Sequence, residues 1–206
     1  MSYEVAKQLL DIGAVELRPK EPFTLSSGLL SPIYCDNRLT LSFPSVRKFI
    51  AEQLAETIKE NFPSVTHISG TATAGIPHAA FVSEKLDLPM SYVRGESKGH
   101  GRKNQIEGLI KVDDQVVVIE DLISTGKSLI KAVQALREGG VNVLGTVSIF
   151  TYGLQKGIDQ FKEHDILNFS ICTFPELIEA ALDINAISEE DVKTLHTWQQ
   201  DPENWG

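Results

Sequence analysis

Residues 116–128 read Val-Val-Val-Ile-Glu-Asp-Leu-Ile-Ser-Thr-Gly-Lys-Ser, and the order of residue types in this stretch decides the fold. Val116, Val117, Val118 and Ile119 are four consecutive β-branched residues, the pattern of a strand buried on both faces at the centre of a parallel sheet. Such a strand delivers whatever follows it to the carboxyl edge of the sheet, where open α/β folds bind ligands. Glu120 and Asp121 follow, two adjacent carboxylates where a purely structural position has no need of charge. Ser124, Thr125, Gly126, Lys127 and Ser128 come next, small and hydroxylic, and lead into a helix with Leu129, Val133 and Leu136 on one face. Backbone N–H groups, hydroxyls and a helix N-terminus converging on one point suit an anion.

Three readings of the stretch compete. A nucleotide-binding P-loop needs glycine five residues before the glycine of Gly126-Lys127-Ser128, and Asp121 holds that place. An ordinary capped helix after a core strand explains Ser124 and Thr125 but leaves the two carboxylates without a role. A ribose 5-phosphate site uses every part: carboxylates accept from the sugar hydroxyls, and the loop holds the phosphate.

Outward from this stretch, strands and helices alternate. Val5, Leu9, Leu10 and Ile12 recur at helical spacing, with Gly13 as terminator. Residues 23–28 and 31–38 alternate turn formers with short extended runs and are expected to form a hood over the core. Val46, Phe49, Ile50, Leu54 and Ile58 stripe a helix over 45–62 that stops near Pro63. Residues 65–69 and 90–93 read as strands joined through a helix over 74–86, a crossover of normally right-handed sense. Between the first strand and that helix lies Gly70-Thr71-Ala72-Thr73-Ala74-Gly75, a second loop at the carboxyl edge whose backbone donors suit a pyrophosphate. Strands over 143–150 and 167–173, with helices near 154–162, 175–182 and 189–198, complete an α/β pattern. Residues 201–206 read as a surface tail with a docked Trp205. One domain is expected over 1–206, with a hood from about 1–40 and a core from about 41–206.

Residues 94–108 carry Arg94, Lys98, His100, Arg102 and Lys103 among four glycines, with Ile106 the one large apolar side chain. A long structureless insertion in a compact domain is usually functional, and this one reads as a mobile basic lid that meets an anion. Two decoys lie within it. Gly95-Glu96-Ser97-Lys98-Gly99 matches a hydrolase nucleophile elbow, but no helix follows the serine. Gly99 and Gly101 fail as a dinucleotide fingerprint because Asn104 stands where the third glycine belongs.

Composition narrows the classes. The 206 residues suit one ample domain. A formal net charge of −9 disfavours a general nucleic-acid or anionic-membrane surface, which needs clustered Lys and Arg. Cys35 and Cys172 lack metal-ligand spacing and read as reduced structural thiols of a cytoplasmic protein. The N-terminal residues contain no long apolar segment, so neither a secretory signal nor a membrane span is expected. The five histidines have no metal-ligand spacing either.

Residues 116–128 closely resemble the thirteen-residue signature of type I phosphoribosyltransferases, which bind phosphoribosyl pyrophosphate (PRPP). With the hood and the Lys98-Gly99-His100-Gly101 lid in the same order, the chain resembles the orotate phosphoribosyltransferase family along nearly its whole length. The resemblance implies a central, mainly parallel sheet flanked by helices with an N-terminal hood. It implies transfer from PRPP to orotate with Mg²⁺ bound mainly through PRPP rather than by a protein cage. It makes Glu120, Asp121, Leu122, Ile123, Ser124, Thr125, Gly126, Lys127 and Ser128 the PRPP loop, with Ser124 also touching orotate. Arg94, Lys98 and His100 become PRPP contacts reaching into the neighbouring subunit of a homodimer with shared active sites. Lys98 is the cation that receives the leaving group, and Asp121 is its catalytic counterpart. The chain departs from many members at four places. Gly95 replaces a second basic residue after Arg94, Ser26 a hood lysine, and Thr73-Ala74 an aromatic-lysine pair. Residues 151–153, Thr-Tyr-Gly, stand where an orotate-binding arginine is common.

Overall fold

The computed structural model describes residues 2–25, 27–95 and 105–205. Helix α1 (Ser2–Asp11) opens the chain, and strands β1 (Val15–Leu17), β2 (Phe23–Thr24), β3 (Leu30–Ser31) and β4 (Ile33–Cys35) follow. A 3-10 helix (Asn37–Ser42) leads into α2 (Pro44–Asn61). The core then runs β5 (His67–Thr71), α3 (Gly75–Leu86), β6 (Met90–Val93), β7 (Ile106–Glu107), β8 (Gln115–Ile123), α4 (Lys127–Glu138), β9 (Asn142–Thr151), α5 (Gln155–Glu163), β10 (Asn168–Thr173), α6 (Phe174–Asp183) and α7 (Glu189–Gln200).

Strands β10-β9-β8-β5-β6-β7 form one six-stranded sheet in that order. Every pairing is parallel except β6 with β7. Strand order reverses between β5 and β8: the chain steps outward from β5 to β6, then returns across β5 to β8 and continues through β9 to β10. A crevice at the carboxyl edge between such strands is where open α/β sheets bind ligands. The side chains of β8 alternate as a pleat requires. Val117 and Ile119 join the core shared with α1, α2, α3, α6 and α7, whereas Val116 and Val118 join the one shared with α4 and Phe161 of α5. All four are completely buried, as the β-branched run predicts.

The expected elements appear, with three differences. Strand β8 does not end at Ile119. It runs on to Ile123, because β9 still pairs with it there: Glu120 faces Ser148, Leu122 faces Phe150 and Ile123 faces Thr151. The acid pair is therefore part of the strand rather than the turn after it. Second, the segment 94–108 is not structureless throughout, since Ile106 and Glu107 add an antiparallel edge strand against Val93 and Tyr92. Third, the C-terminal residues are more than a surface tail: Asp201, Pro202 and Glu203 line a cavity, while Trp205 packs against the core as expected. Helix α1 packs into that same core through Val5, Ala6 and Leu9. The hood proper is two antiparallel ribbons, β1 with β4 and β2 with β3. Residues 96–104, with Lys98, His100, Arg102 and Lys103, lie outside the described residues, as does Ser26.

Gly75, the first residue of α3, is where helix and central strand come closest. A Cβ added there would lie 2.6 Å from the carbonyl oxygen of Ile119, a backbone atom that cannot swing aside. Gly75→Ala should therefore lower the unfolding free energy by about 1–3 kcal/mol, the usual cost of overpacking. Urea denaturation would measure it, and an unchanged midpoint would contradict the close approach.

Candidate functional site

Strand β5 pairs with β8 only as far as Gly70 with Ile119, so Glu120 and Asp121 emerge on the side that β5 has left. A cavity of about 410 Å³ opens there. Cys35, Asp36 and Arg38 line it from the hood, residues 72–74 from the β5–α3 turn, and Glu120, Asp121, Leu122 and Ser128 from the signature loop. The loop after β5, suggested by its glycines and hydroxyls, thus faces the acid pair across one cavity. Its Ala72–Thr73 peptide is cis.

Electrostatics at the acid pair are unusual. Glu120 is 5% exposed, and its partners are neutral: the Ser128 hydroxyl donates to Oε2 at 3.2 Å and the Asp121 N–H reaches Oε1 at 3.1 Å. Burial, followed by the neighbouring Asp121 carboxylate, pushes the Glu120 carboxyl well above the usual carboxylate range. In the free protein it therefore keeps its proton to higher pH than an ordinary glutamate does. Asp121 is fixed from the hood side, where the buried Asn37 amide donates to its carbonyl oxygen at 2.7 Å.

Arg38 is the one Lys or Arg among the described residues that line this cavity. It forks onto Asp36 at 2.6 and 2.8 Å and holds that carboxyl below its ordinary range. Thr71 Oγ1 and Asn37 Oδ1, each next in sequence to lining residues, are buried without a hydrogen-bond partner among the described residues. Buried polar atoms normally have partners, and a polyhydroxylated, phosphorylated ligand would supply them.

The loop expected to cradle a phosphate is built around Gly126, the N-cap of α4, at φ +75°, a left-handed conformation open to glycine. A Cβ there would strike the Phe161 ring, so glycine is required twice. Neither Ser124 nor Thr125 caps α4, which has no side-chain cap bond. The ordinary capped-helix reading fails on this point, and the first N–H groups of α4 remain available to an anion. Helix α3, starting at the facing loop, also lacks a side-chain cap. Ser124 and Thr125 themselves turn toward a second cavity of about 340 Å³ beneath the hood, walled by Leu25, Leu30, Ile33, Tyr152 and Trp198. The loop therefore has one ligand space at each end.

Not every expected residue converges within this subunit. Arg94 lines neither cavity: its N–H bonds the Gln105 carbonyl at 2.8 Å, and its guanidinium pairs with Glu107 at 3.4 Å across the β6–β7 edge. Lys98 and His100 fall in 96–104, outside the described residues. Sequence reading passed over Asn37 and Arg38, whose Cys-Asp-Asn-Arg run was the only signal, and Lys156 and Trp198, for which no signal existed; Tyr152 was noted only as part of the 151–153 departure. Among the described residues no group of three or more His, Cys, Asp or Glu side chains could hold a metal ion.

Comparison with known proteins gives this geometry its place. A family model described as a phosphoribosyl transferase domain matches residues 44–174. An orotate phosphoribosyltransferase of Listeria innocua is 59% identical over 203 residues, 98% of this chain and 97% of that one. The chain belongs to the orotate phosphoribosyltransferase family. Its fold is that of solved members. The orotate phosphoribosyltransferase of Aeropyrum pernix superposes with a TM-score of 0.75 at 29% identity, over 89% of this chain and 99% of that one. UMP synthase of Leishmania donovani gives a TM-score of 0.82 at 28% identity and covers 96% of this chain, which spans only 42% of that longer protein. Within the family's signature, the acid pair is the part that a mutation can read out directly.

Because the Glu120 carboxyl is pushed upward, its contribution to stability has a definite sign. A carboxyl whose folded pKa is raised above its ordinary 4.5 stabilises the fold fully below that value, and the contribution is lost as pH rises toward the folded pKa. Glu120→Gln cannot ionise. Its unfolding free energy should gain on that of the unmutated protein as pH rises from 5 to 8, by up to about 1.4 kcal/mol per pH unit. Calorimetry across that range checks it, and parallel pH profiles would show that Glu120 is ionised in the fold.

Proposed function

We propose that this protein transfers the ribose 5-phosphate group of PRPP to orotate, giving orotidine 5′-monophosphate and pyrophosphate, a step of pyrimidine synthesis. The observation that carries the reading is the paired carboxylate at the sheet edge, set between an uncapped helix N-terminus and the hood, in a chain similar over its whole length to orotate phosphoribosyltransferases. In the reaction the bond from the anomeric carbon to the pyrophosphate oxygen breaks, a bond to a ring nitrogen of orotate forms, and that nitrogen loses its proton. Positive charge grows on the ribose ring and negative charge on the leaving group, so no protein nucleophile is needed. The chain's tasks are holding and shielding. Asp121 and Glu120 accept from the ribose hydroxyls, and the backbone of residues 124–128 with the Ser128 hydroxyl holds the 5′-phosphate. The turn at 72–74 faces the pyrophosphate, with Arg38 on the same cavity. Lys98, aided by His100, receives the leaving group as charge develops there.

Mg²⁺ is part of this proposal. When bound, it would screen the pyrophosphate and make it a better leaving group. Mg²⁺ keeps several waters and takes one or two carboxylates plus substrate phosphates. Of the carboxylates on the cavity, Asp36 is paired with Arg38 and Glu120 is buried, so Asp121 would be the one to complete the shell of an ion held mainly through PRPP. Cytoplasmic location belongs to the same reading, in keeping with two cysteines that form no disulfide. Among the described residues no helix is long and apolar enough to cross a membrane.

An assay following loss of orotate absorbance tests the activity directly. Orotate should be consumed with PRPP and Mg²⁺, and hypoxanthine and adenine should not. Asp121→Asn should lose about 10²-fold or more in turnover, as when one preorganised transition-state contact is removed, with melting unchanged. Turnover close to that of the unmutated protein would remove Asp121 from the mechanism.

The homodimer with shared sites is proposed on the basic segment. Arg94 lines neither cavity of its own subunit and pairs instead with Glu107 of β7, which leaves a PRPP contact from this residue to a neighbouring subunit. If Lys98 serves the partner's site, inactive Lys98→Ala and Asp121→Asn subunits should rescue each other on mixing. Half the dimers are then mixed, each with one intact site, so roughly a quarter of full activity should return. Demonstrated subunit exchange without recovered activity would reject a lid acting in trans.

A further inference from the structure

The cavity beneath the hood presents a problem of charge that the acid-pair cavity does not. Its walls fit a flat ring. Tyr152 and Trp198 stand edge to face with centroids 5.4 Å apart, and Leu25, Leu30 and Ile33 close the hood side. Ser124 and Thr125 of the signature loop supply hydroxyls on the side shared with the ribose. The substrate of the proposed reaction is a carboxylate as well as a flat ring. An anion entering this space meets Asp201 and Glu203, with Lys156 the one Lys or Arg among the described lining residues. A carboxylate without a counter-charge would be strongly disfavoured between those walls.

Asp201 is already occupied, its two carboxylate oxygens accepting from the Asn204 amide at 3.0 and 2.9 Å. Glu203 is bound differently: its Oε1 holds Lys156 Nζ at 2.7 Å across the cavity wall, from the C-terminal segment to the first turn of α5. The two side chains are 50% and 65% exposed. An ion pair this exposed is weak, because solvent screens it and two long side chains must be ordered to form it. Lys156 can therefore exchange carboxylates at little cost.

We propose that Lys156 is the cation that pairs with the carboxylate of the ring substrate, and that Glu203 occupies this cation in the free protein and is displaced when substrate enters. Lys156 is thus a specificity-determining residue, and the C-terminal segment sets the affinity. This rests on the orotate reading, and the test separates the two.

Steady-state constants for orotate and PRPP should be measured for the unmutated protein, Lys156→Ala, Lys156→Arg and Glu203→Gln, with uracil, the same ring without the carboxylate, as competitor. Loss of a charge-assisted hydrogen bond should raise KM for orotate about tenfold or more in Lys156→Ala. KM for PRPP should stay within about twofold. Inhibition by uracil should be unchanged, and Lys156→Arg should recover most of the orotate affinity. Glu203→Gln should lower KM for orotate. If the unmutated protein turns over orotate and Lys156→Ala keeps its KM, the assignment of Lys156 is overturned while the activity stands. If the unmutated protein does not use orotate, both fall. If Lys156→Ala does not fold, Glu203→Gln decides: a lower KM for orotate supports the exchange and an unchanged one overturns it.

Discussion

Strand β8 keeps one neighbour for four residues longer than the other, and the rest of the site follows from that. Its pairing with β9 continues through Ile123 while β5 stops at Ile119. On one side the backbone stays saturated and rigid. On the other, the carboxylates of Glu120 and Asp121 stand at a gap in the sheet, anchored by a strand that cannot shift without breaking its central ladder. Two close approaches keep this edge in place. Gly75 presses α3 against the Ile119 carbonyl, and Gly126 tucks the loop beneath Phe161. The Asn37 amide ties the hood to the same strand through the Asp121 carbonyl. Hood, facing loop and phosphate cradle are all referred to one rigid backbone segment.

Helix starts fall into two kinds, and the uncapped ones include α2 and α5 as well as the two at the acid-pair cavity. Helices α6 and α7 begin with complete capping boxes, Thr173 with Glu176 and Ser188 with Asp191. Helices α3 and α4 begin at the acid-pair cavity with no side-chain cap. A missing cap costs about 0.5–2 kcal/mol, and the buried Glu120 carboxyl adds a second local cost whenever it must ionise. Both lie where a phosphate or a ribose hydroxyl would satisfy the group in question. Such local conflicts with folding rules are what a binding site is expected to contain.

What was legible in the sequence was what periodicity and composition carry. Four β-branched residues gave the central strand, and Met90–Val93 was found as a strand to the residue. The long stripe from Val46 to Ile58 gave α2. Less legible were elements held by tertiary contact. The last residues of β8 are charged or follow charges, so the apolar run ends before the ladder does. Strand β7 is two residues in a polar, glycine-rich segment, with nothing local to mark it. The acid pair and cradle could be read because their chemistry is contiguous. Asn37, 84 residues from its acceptor, could not.

The same distinction explains why the second cavity escaped the sequence. Its hydroxyls come from the signature loop, its apolar roof from the hood, its aromatic wall from Tyr152 and Trp198, and its ion pair from residues 47 apart. Each piece has an ordinary local explanation: a turn serine, a core leucine, a surface lysine on the first turn of an amphipathic helix. Only the packing of α7 and the C-terminal segment against the end of β9, fixed by the Gln199 amide on the Tyr152 carbonyl at 2.7 Å, turns them into one space. In this fold the acid-pair cavity is centred on one strand and its loop, whereas the cavity beneath the hood is assembled from segments far apart along the chain. Substitutions in the C-terminal segment can therefore reshape the second cavity without touching the residues that line the acid-pair cavity.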